Sequence, residues 1–256
     1  MKIIEVENAH HMGDQIINFI YFHQIKDYLE QNDIFIKYYC WPQYHKNLHD
    51  FNPTKNISIH PLQEPYVKKY YELWQGGRIS HIIPHHLKHS YNDILCFMFN
   101  VFLTDFNMNI TVNTFEYEYP KILEWYQAID NKYKNADILI INSHPRSGQY
   151  NYNKNSWNSQ IIELSKKYKI LTTEKVNDDI LSLDSLPLKD ICAISTNVKY
   201  IIAVNTGPLI PLFNKYTLDN VKQIFIFGTG NFNTRNCLSS NSQTADNIVN
   251  CINFMQ

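Results

Sequence analysis

A strand–loop–helix–strand pattern opens this chain and then starts again near residue 137, and that restart constrains the fold more than any other feature. Residues 2–6, KIIEV, are a short apolar run rich in strand formers, and 33–39, DIFIKYY, are a second. Between them QIINFIYFHQIKDYLEQ sets apolar residues at 16, 17, 20, 25 and 29, which is helical spacing. A strand, a helix and a strand in that order build a parallel sheet, since parallel neighbours need a crossover connection. The second round begins with Asp137 and ILIIN at 138–142, continues through a polar loop and a periodic stretch at 157–168, and closes with KILTT at 169–173. YIIAVN at 200–205 and KQIFIFG at 222–228 read as buried strands, 187–196 as a short helix and 243–255 as a last helix. The middle is less patterned; helices are expected at 43–50, 66–75 and 119–132, with a strand near 57–60. The predicted fold is α/β, with two Rossmann-like halves, 1–130 and 131–256, facing each other across a cleft.

Composition narrows the function. The 256 residues suit two compact halves. Lysine and arginine number 23 against 24 acidic residues, a net charge of −1, so no basic excess exists to hold a nucleic-acid backbone. Hydrophobic residues are 44% of the chain, enough to bury a core. No run approaches the 18 or so apolar residues of a membrane-spanning helix, and MKIIEVENAHH has no signal-peptide core, so a soluble cytoplasmic protein is expected. The five cysteines (40, 96, 192, 237, 251) have no C-x-x-C spacing and read as free thiols. His81, His85, His86 and His89 suggest a metal at first, but Pro84 interrupts the helical spacing and no cysteine or carboxylate completes a set. Gly228-Thr229-Gly230 lacks the third glycine of a dinucleotide fingerprint, and no P-loop motif occurs. No metal or other cofactor is expected.

Three polar loops leave strand ends, where open α/β sheets hold their ligands. In the first, His10-His11-Met12-Gly13-Asp14, the glycine allows a tight turn, and Asp14 reads either as a helix N-cap or as a catalytic carboxylate. The second, Ser143-His144-Pro145-Arg146-Ser147-Gly148 followed by Lys154, is either a solvated loop or a pair of cations placed for phosphate. The third, Asn205-Thr206-Gly207-Pro208, joins a buried strand to a helix start. It reads as ordinary capping or as backbone N–H groups presented to a phosphate or a ribose hydroxyl.

Taken in order, these pieces resemble the GT-B glycosyltransferases, and in particular the lipopolysaccharide heptosyltransferase family. His11-Met12-Gly13-Asp14 looks like that family's x-L-G-D loop, Lys154-Asn-Ser-Trp157 like its K-x-W segment with one extra residue, KYIIAVNTGPLIPLF at 199–213 like its strand and D-T-G-x-x-H loop, and Phe225–Thr229 like the strand and glycine turn that follow. The resemblance implies a metal-independent, inverting transfer from a nucleotide-activated sugar to a glycan, lipid-linked sugar or glycoprotein acceptor. It makes Asp14 the general base, with Gly13 and His11 in the acceptor-side loop. It makes Lys154 the group that offsets charge on the departing diphosphate, and Asn205, Thr206, Gly207 and Pro208 the donor contacts. Arg146 joins the donor set on its charge alone. The chain departs from the pattern at Asn205, where the family has Asp, and at Leu209 and Ile210, where a His is expected. Those departures imply a donor other than ADP-heptose, and leave open a non-catalytic protein of the same fold that binds nucleotide or glycan. An unrelated α/β enzyme, such as a nucleotide hydrolase or sugar epimerase, is the third reading.

Overall fold

The computed structural model describes residues 1–73, 91–113, 118–145, 150–228 and 242–244, together with 248, 251 and 255. It divides the chain into two compact units between Tyr117 and Glu118. The boundary lies before the expected one at 130/131 because the helix at Ile122–Ala128 packs on the helix at Leu188–Ser195 of the second unit.

The first unit is a four-stranded, wholly parallel sheet in the order β3-β2-β1-β4, formed by β1 (Lys2–Asn8), β2 (Ile34–Cys40), β3 (Ile57–Pro61) and β4 (Tyr71–Glu72). Helix α1 (Met12–Gln31) makes the crossover from β1 to β2. Its Phe19 and Phe22 meet Tyr38 edge-on at 5.1 and 5.9 Å. Helix α2 (His45–Asp50) follows β2, and α3 (Tyr91–Asp105) adds Phe99 to the same core, 5.6 Å from Phe22. Asp33 takes a left-handed φ of 52°, which lets the chain reverse from α1 into β2 and is a conformation Asp tolerates.

Residues 66–75 were expected to be helical, but the described part, 66–73, holds no helix, and its Tyr71–Glu72 form β4 on the edge of β1. The cause lies far away in sequence. The buried Glu7 carboxylate accepts the backbone N–H groups of Lys69 (3.2 Å) and Tyr70 (3.1 Å), so helical bonds lose those donors.

The second unit is a six-stranded parallel sheet in the order β10-β9-β8-β5-β6-β7. Its strands are β5 (Ile138–Ile141), β6 (Ile170–Thr172), β7 (Leu181–Ser182), β8 (Tyr200–Val204), β9 (Gln223–Phe227) and β10 (Ser242–Thr244). From β5 the chain runs outward to one edge, returns, and runs to the other, the doubly wound order. Every residue of β5 and β8 is buried, as a parallel sheet covered on both faces requires. On one face Ile138, Ile140, Ile202, Val204 and Phe225 pack with Trp157, Ile161 and Leu164 of α5 (Lys154–Ser165). Helices α4 (Ile122–Ala128), α6 (Leu188–Ser195) and α7 (Lys215–Asn220) complete the described set.

Two expectations are corrected here. Residues 242–244 are a strand, so the last helix does not begin at 243, while 248, 251 and 255 are helical. The helix expected after Thr206 is a short 3₁₀ segment, Gly207–Leu212. Pro211, inside the segment, has no N–H to give, which removes a bond an α-helix would need.

Ile202 is fully buried in the packed face of the second sheet. Ile202→Ala is expected to cost about 2–5 kcal/mol and Ile202→Val about 0.5–1.5 kcal/mol. Urea unfolding would show this as a lowered midpoint at unchanged slope.

Candidate functional site

Both sheets reverse strand order beside their first strand, and the loops flanking such a reversal form the crevice where doubly wound folds bind ligands. In the first unit the reversal lies between β1 and β4, in the second between β5 and β8. The loops that the sequence singles out, after β1, β5 and β8, all border these points.

The loop after β1 is held carbonyl by carbonyl. The Gln15 amide donates to Asn8 O (2.8 Å) and His10 O (3.1 Å), and the Trp41 indole donates to Ala9 O (2.8 Å). Gln15 is itself fixed by the Tyr38 hydroxyl, which in turn accepts from the Asn18 amide at 3.1 Å. The tight turn lies at 9–11; Met12 and Gly13 are already in the first turn of α1. The N-cap is the exposed His11, not Asp14. Asp14 is the third helical residue, and its Oδ2 accepts the His11 N–H at 3.1 Å, the reciprocal half of a capping box.

Burial pushes the Asp14 carboxyl above its ordinary range, and the histidines at 10 and 11 with the His11 N–H pull only partly against it. A carboxyl pushed upward beside a strand end is a candidate for proton transfer. His10 is oriented by Glu72 of β4 (3.1 Å), whose other oxygen takes Lys68 at 2.5 Å. Partial burial alone would raise the Glu72 carboxyl, but the bonds from Lys68 and His10 outweigh it and hold it low. Glu7, Gln15, Tyr38 and Glu72 were not singled out by sequence; their roles depend on partners up to 63 residues away.

In the second unit Asn142 and Thr173 tie the ends of β5 and β6 together. Asn142 Oδ1 accepts the Glu174 N–H (2.8 Å) and the Thr173 hydroxyl (3.2 Å), while Asn142 Nδ2 donates to Glu174 O (3.0 Å). This aims the Glu174 side chain across the crevice, where Oε1 accepts the His144 N–H (3.2 Å) and Oε2 pairs with Lys154 Nζ (3.5 Å). Lys154 is the first residue of α5, behind the Asn153 cap that accepts the Ser156 N–H. It therefore stands at the strand-end side of the unit, and it shares its charge with Glu174.

Asn205 extends the β8–β9 pairing by donating its N–H to Phe227 O at 2.9 Å, and the Thr206 hydroxyl donates to Val204 O at 3.2 Å. The Leu209 N–H is taken by Thr206 O (2.9 Å) and Pro208 has none, so the fan of N–H groups expected at a helix start is reduced. Leu209 is buried. Beneath this segment a buried network of Asn214, Thr217, Ser195 and Cys192 fixes Pro211, whose carbonyl accepts from Asn214 Nδ2 (3.0 Å) and Cys192 Sγ (3.1 Å).

Arg146 and the histidines at 81, 85, 86 and 89 lie outside the described residues. Among the described residues no group of three His, Cys, Asp or Glu side chains is placed to hold a metal ion, and no helix is long and apolar enough to cross a membrane. Cys40, Cys96, Cys192 and Cys251 are buried free thiols.

No protein-family model and no curated protein matches the sequence. Solved structures do match. Escherichia coli heptosyltransferase WaaC with ADP-2-deoxy-2-fluoro heptose superposes with a TM-score of 0.58 over 96% of this chain and 93% of that one, at 8% identity. The fold is that of the heptosyltransferases. The same enzyme with ADP gives 0.57 at 9% identity with the same coverage. E. coli ADP-heptose lipopolysaccharide heptosyltransferase II gives 0.50 at 8% identity, over 96% and 90% of the two chains. The resemblance read from four short motifs thus holds across nearly the whole chain at the level of fold, where sequence comparison finds nothing.

The raised carboxyl of Asp14 carries a stability consequence. Its folded state binds the proton more tightly than the unfolded chain does, so stability falls as pH rises from the ordinary carboxylate range through the raised value. Above the raised value the ionised Asp14 is therefore a cost. Asp14→Asn, which can still accept the His11 N–H, is expected to match or exceed the wild type in stability at pH 7, with the gain vanishing below about pH 3.8. Urea midpoints across that range measure it; an Asn variant weaker at pH 7 than in acid would contradict the assignment.

Proposed function

We propose that the chain is a glycosyltransferase that moves a sugar from a nucleotide-activated donor to a hydroxyl acceptor, with inversion and without a metal. The observation that carries the reading is Asp14: a half-buried carboxylate of raised basicity, on a loop fixed at three consecutive carbonyls, at the strand-order reversal of a heptosyltransferase-like fold. In this reading an Asp14 oxygen takes the acceptor's hydroxyl proton as that oxygen attacks the anomeric carbon, and the bond to the nucleoside diphosphate breaks on the opposite side.

The second unit then holds the donor. Lys154 is the cation placed to offset the charge of the departing diphosphate, and a phosphate would compete with Glu174 for it. Asn205, Thr206, Gly207 and Pro208 contribute a neutral wall with few free donors, which suits sugar or ribose hydroxyls better than a second phosphate. Arg146 precedes Lys154 in the segment after β5 and stays in the donor set on its charge. The acceptor class is a glycan, a lipid-linked sugar or a glycoprotein, and the setting is the cytoplasm.

One observation favours a second reading, a non-catalytic nucleotide- or glycan-binding protein. Asn205 carries no charge and the buried Leu209 closes the place of a polar donor contact. A panel of nucleotide sugars separates the two: binding with turnover supports the enzyme, binding without turnover the alternative.

Asp14→Asn is expected to leave folding and nucleotide binding intact and to lower kcat by about 10²–10⁴-fold. Transfer at the wild-type rate would remove Asp14 from the mechanism. Lys154→Ala is expected to weaken binding of a nucleoside diphosphate by about 1–3 kcal/mol, read by calorimetry. Activity is expected to persist in EDTA; loss on chelation with recovery on adding Mn²⁺ or Mg²⁺ would refute the metal-free route.

A further inference from the structure

The first unit holds a pocket of about 340 Å³ that none of the motifs touches, lined by Tyr39, Pro61, Pro65, Tyr66, Lys69 and Tyr70 among others. That is the low end of the range for small-molecule sites, which begins near 300 Å³. Tyr39 is the next-to-last residue of β2 and Pro61 the last of β3, so the pocket opens at the carboxyl edge of the sheet, on the same edge as the Asp14 loop.

Its walls are aromatic and built. Tyr39 and Tyr70 stack with centroids 3.9 Å apart and planes 13° apart, and Trp41 lies 5.7 Å from Tyr66. Tyr66 and Val67 are exposed, at 39% and 61%, so their apolar surface is open to a ligand. The phenol groups are turned away from a ligand: the Tyr39 hydroxyl donates to Glu5 (3.1 Å) and the Tyr66 hydroxyl to Glu7 (2.6 Å). What the pocket offers is ring surface, with Gln63, Glu64 and Lys69 also among its lining residues.

Ring faces flanked by a few mixed donors and acceptors suit a polyhydroxylated ring, whose C–H face stacks while its hydroxyls bond at the rim. Lys69 is the one cation among the lining residues, and a phosphate or other anion would also meet Glu64 in the lining and Glu7 behind Tyr66. We propose that this pocket binds a neutral saccharide ring; that the ring belongs to the acceptor rests on the glycosyltransferase reading. Glu7 joins the pocket to the candidate base. Its carboxylate holds Tyr66, Lys69 and Tyr70, and the next residue, Asn8, begins the loop that carries Asp14.

The test uses the full chain and saturation-transfer NMR with the methyl glycosides of glucose, galactose, mannose and N-acetylglucosamine, with adenosine monophosphate as the competing chemistry. At least one glycoside is expected to bind. Tyr66→Ala and Tyr70→Ala are each expected to weaken it about tenfold or more, the scale of one lost aromatic face, while Tyr66→Phe, which keeps the ring, binds as the wild type does. Val67→Glu, at an exposed position that places no demand on folding, is expected to abolish binding and serves if the alanine variants fail to fold. No glycoside bound, undiminished binding in Tyr66→Ala and Val67→Glu, or displacement of the glycoside by adenosine monophosphate would each overturn the proposal. Nucleotide-sugar turnover measured on the same samples separates the two readings. Turnover with no pocket-dependent glycoside binding sinks the pocket alone; pocket-dependent binding with no nucleotide sugar bound sinks the glycosyltransferase reading alone.

Discussion

A parallel strand leaves its neighbours at its carboxyl end, and every peptide group released there needs a partner. The candidate chemistry in the first unit depends on how β1 meets that demand. Asn8, Ala9 and His10 surrender their carbonyls to the Gln15 amide and the Trp41 indole rather than to water. The loop therefore has one backbone course, and α1 begins at a fixed place and angle. Asp14 inherits its position from that course. Its partial burial follows because the donors that fix the loop come from α1 and from the segment after β2, which close around it.

The second unit meets the same demand with a different device. Asn142 acts as a bridge between strand ends, accepting from Glu174 and Thr173 and donating back to Glu174. The result is a carboxylate held near the start of α5, where Lys154 meets it. Both groups are substantially exposed, so the pair adds little to stability; its significance is that the cation rests on an exchangeable partner. Neither side chain is locked by burial, so the contact between them can be exchanged without disturbing the packed core.

Local periodicity made β1, α1, β2, β5, β6, β8 and β9 legible, because each is an apolar run whose pattern is written in its own residues. The failures share a cause. Residues 66–75 carry helical spacing, yet Glu7 removes the N–H groups of Lys69 and Tyr70 from 62 and 63 residues away. Pro211 stood in plain view, but how it limits the segment to a 3₁₀ form depends on Asn214 and Cys192 holding the Pro211 carbonyl. Asp14 and Lys154 were legible as candidates because each begins a helix after a strand. Glu174 and Glu72 were not, since a lone glutamate in a polar stretch gains meaning only when a strand pairing brings it to a loop. Helix α3, Tyr91–Asp105, escaped notice because YNDILCFMFNVFLTD has almost no polar face to set against its apolar one.

Glu7 grips residues 69 and 70 by their backbone N–H groups and not by their side chains. Every amino acid except proline presents that N–H, so the anchor is indifferent to what positions 69 and 70 carry. Substitution there can change the shape and chemistry of the pocket wall while the chain keeps its path and the neighbouring carboxylate loop keeps its place. Side-chain identity and backbone course are thus separately heritable here: a lineage can vary what this surface displays by point mutation without reopening the geometry around Asp14.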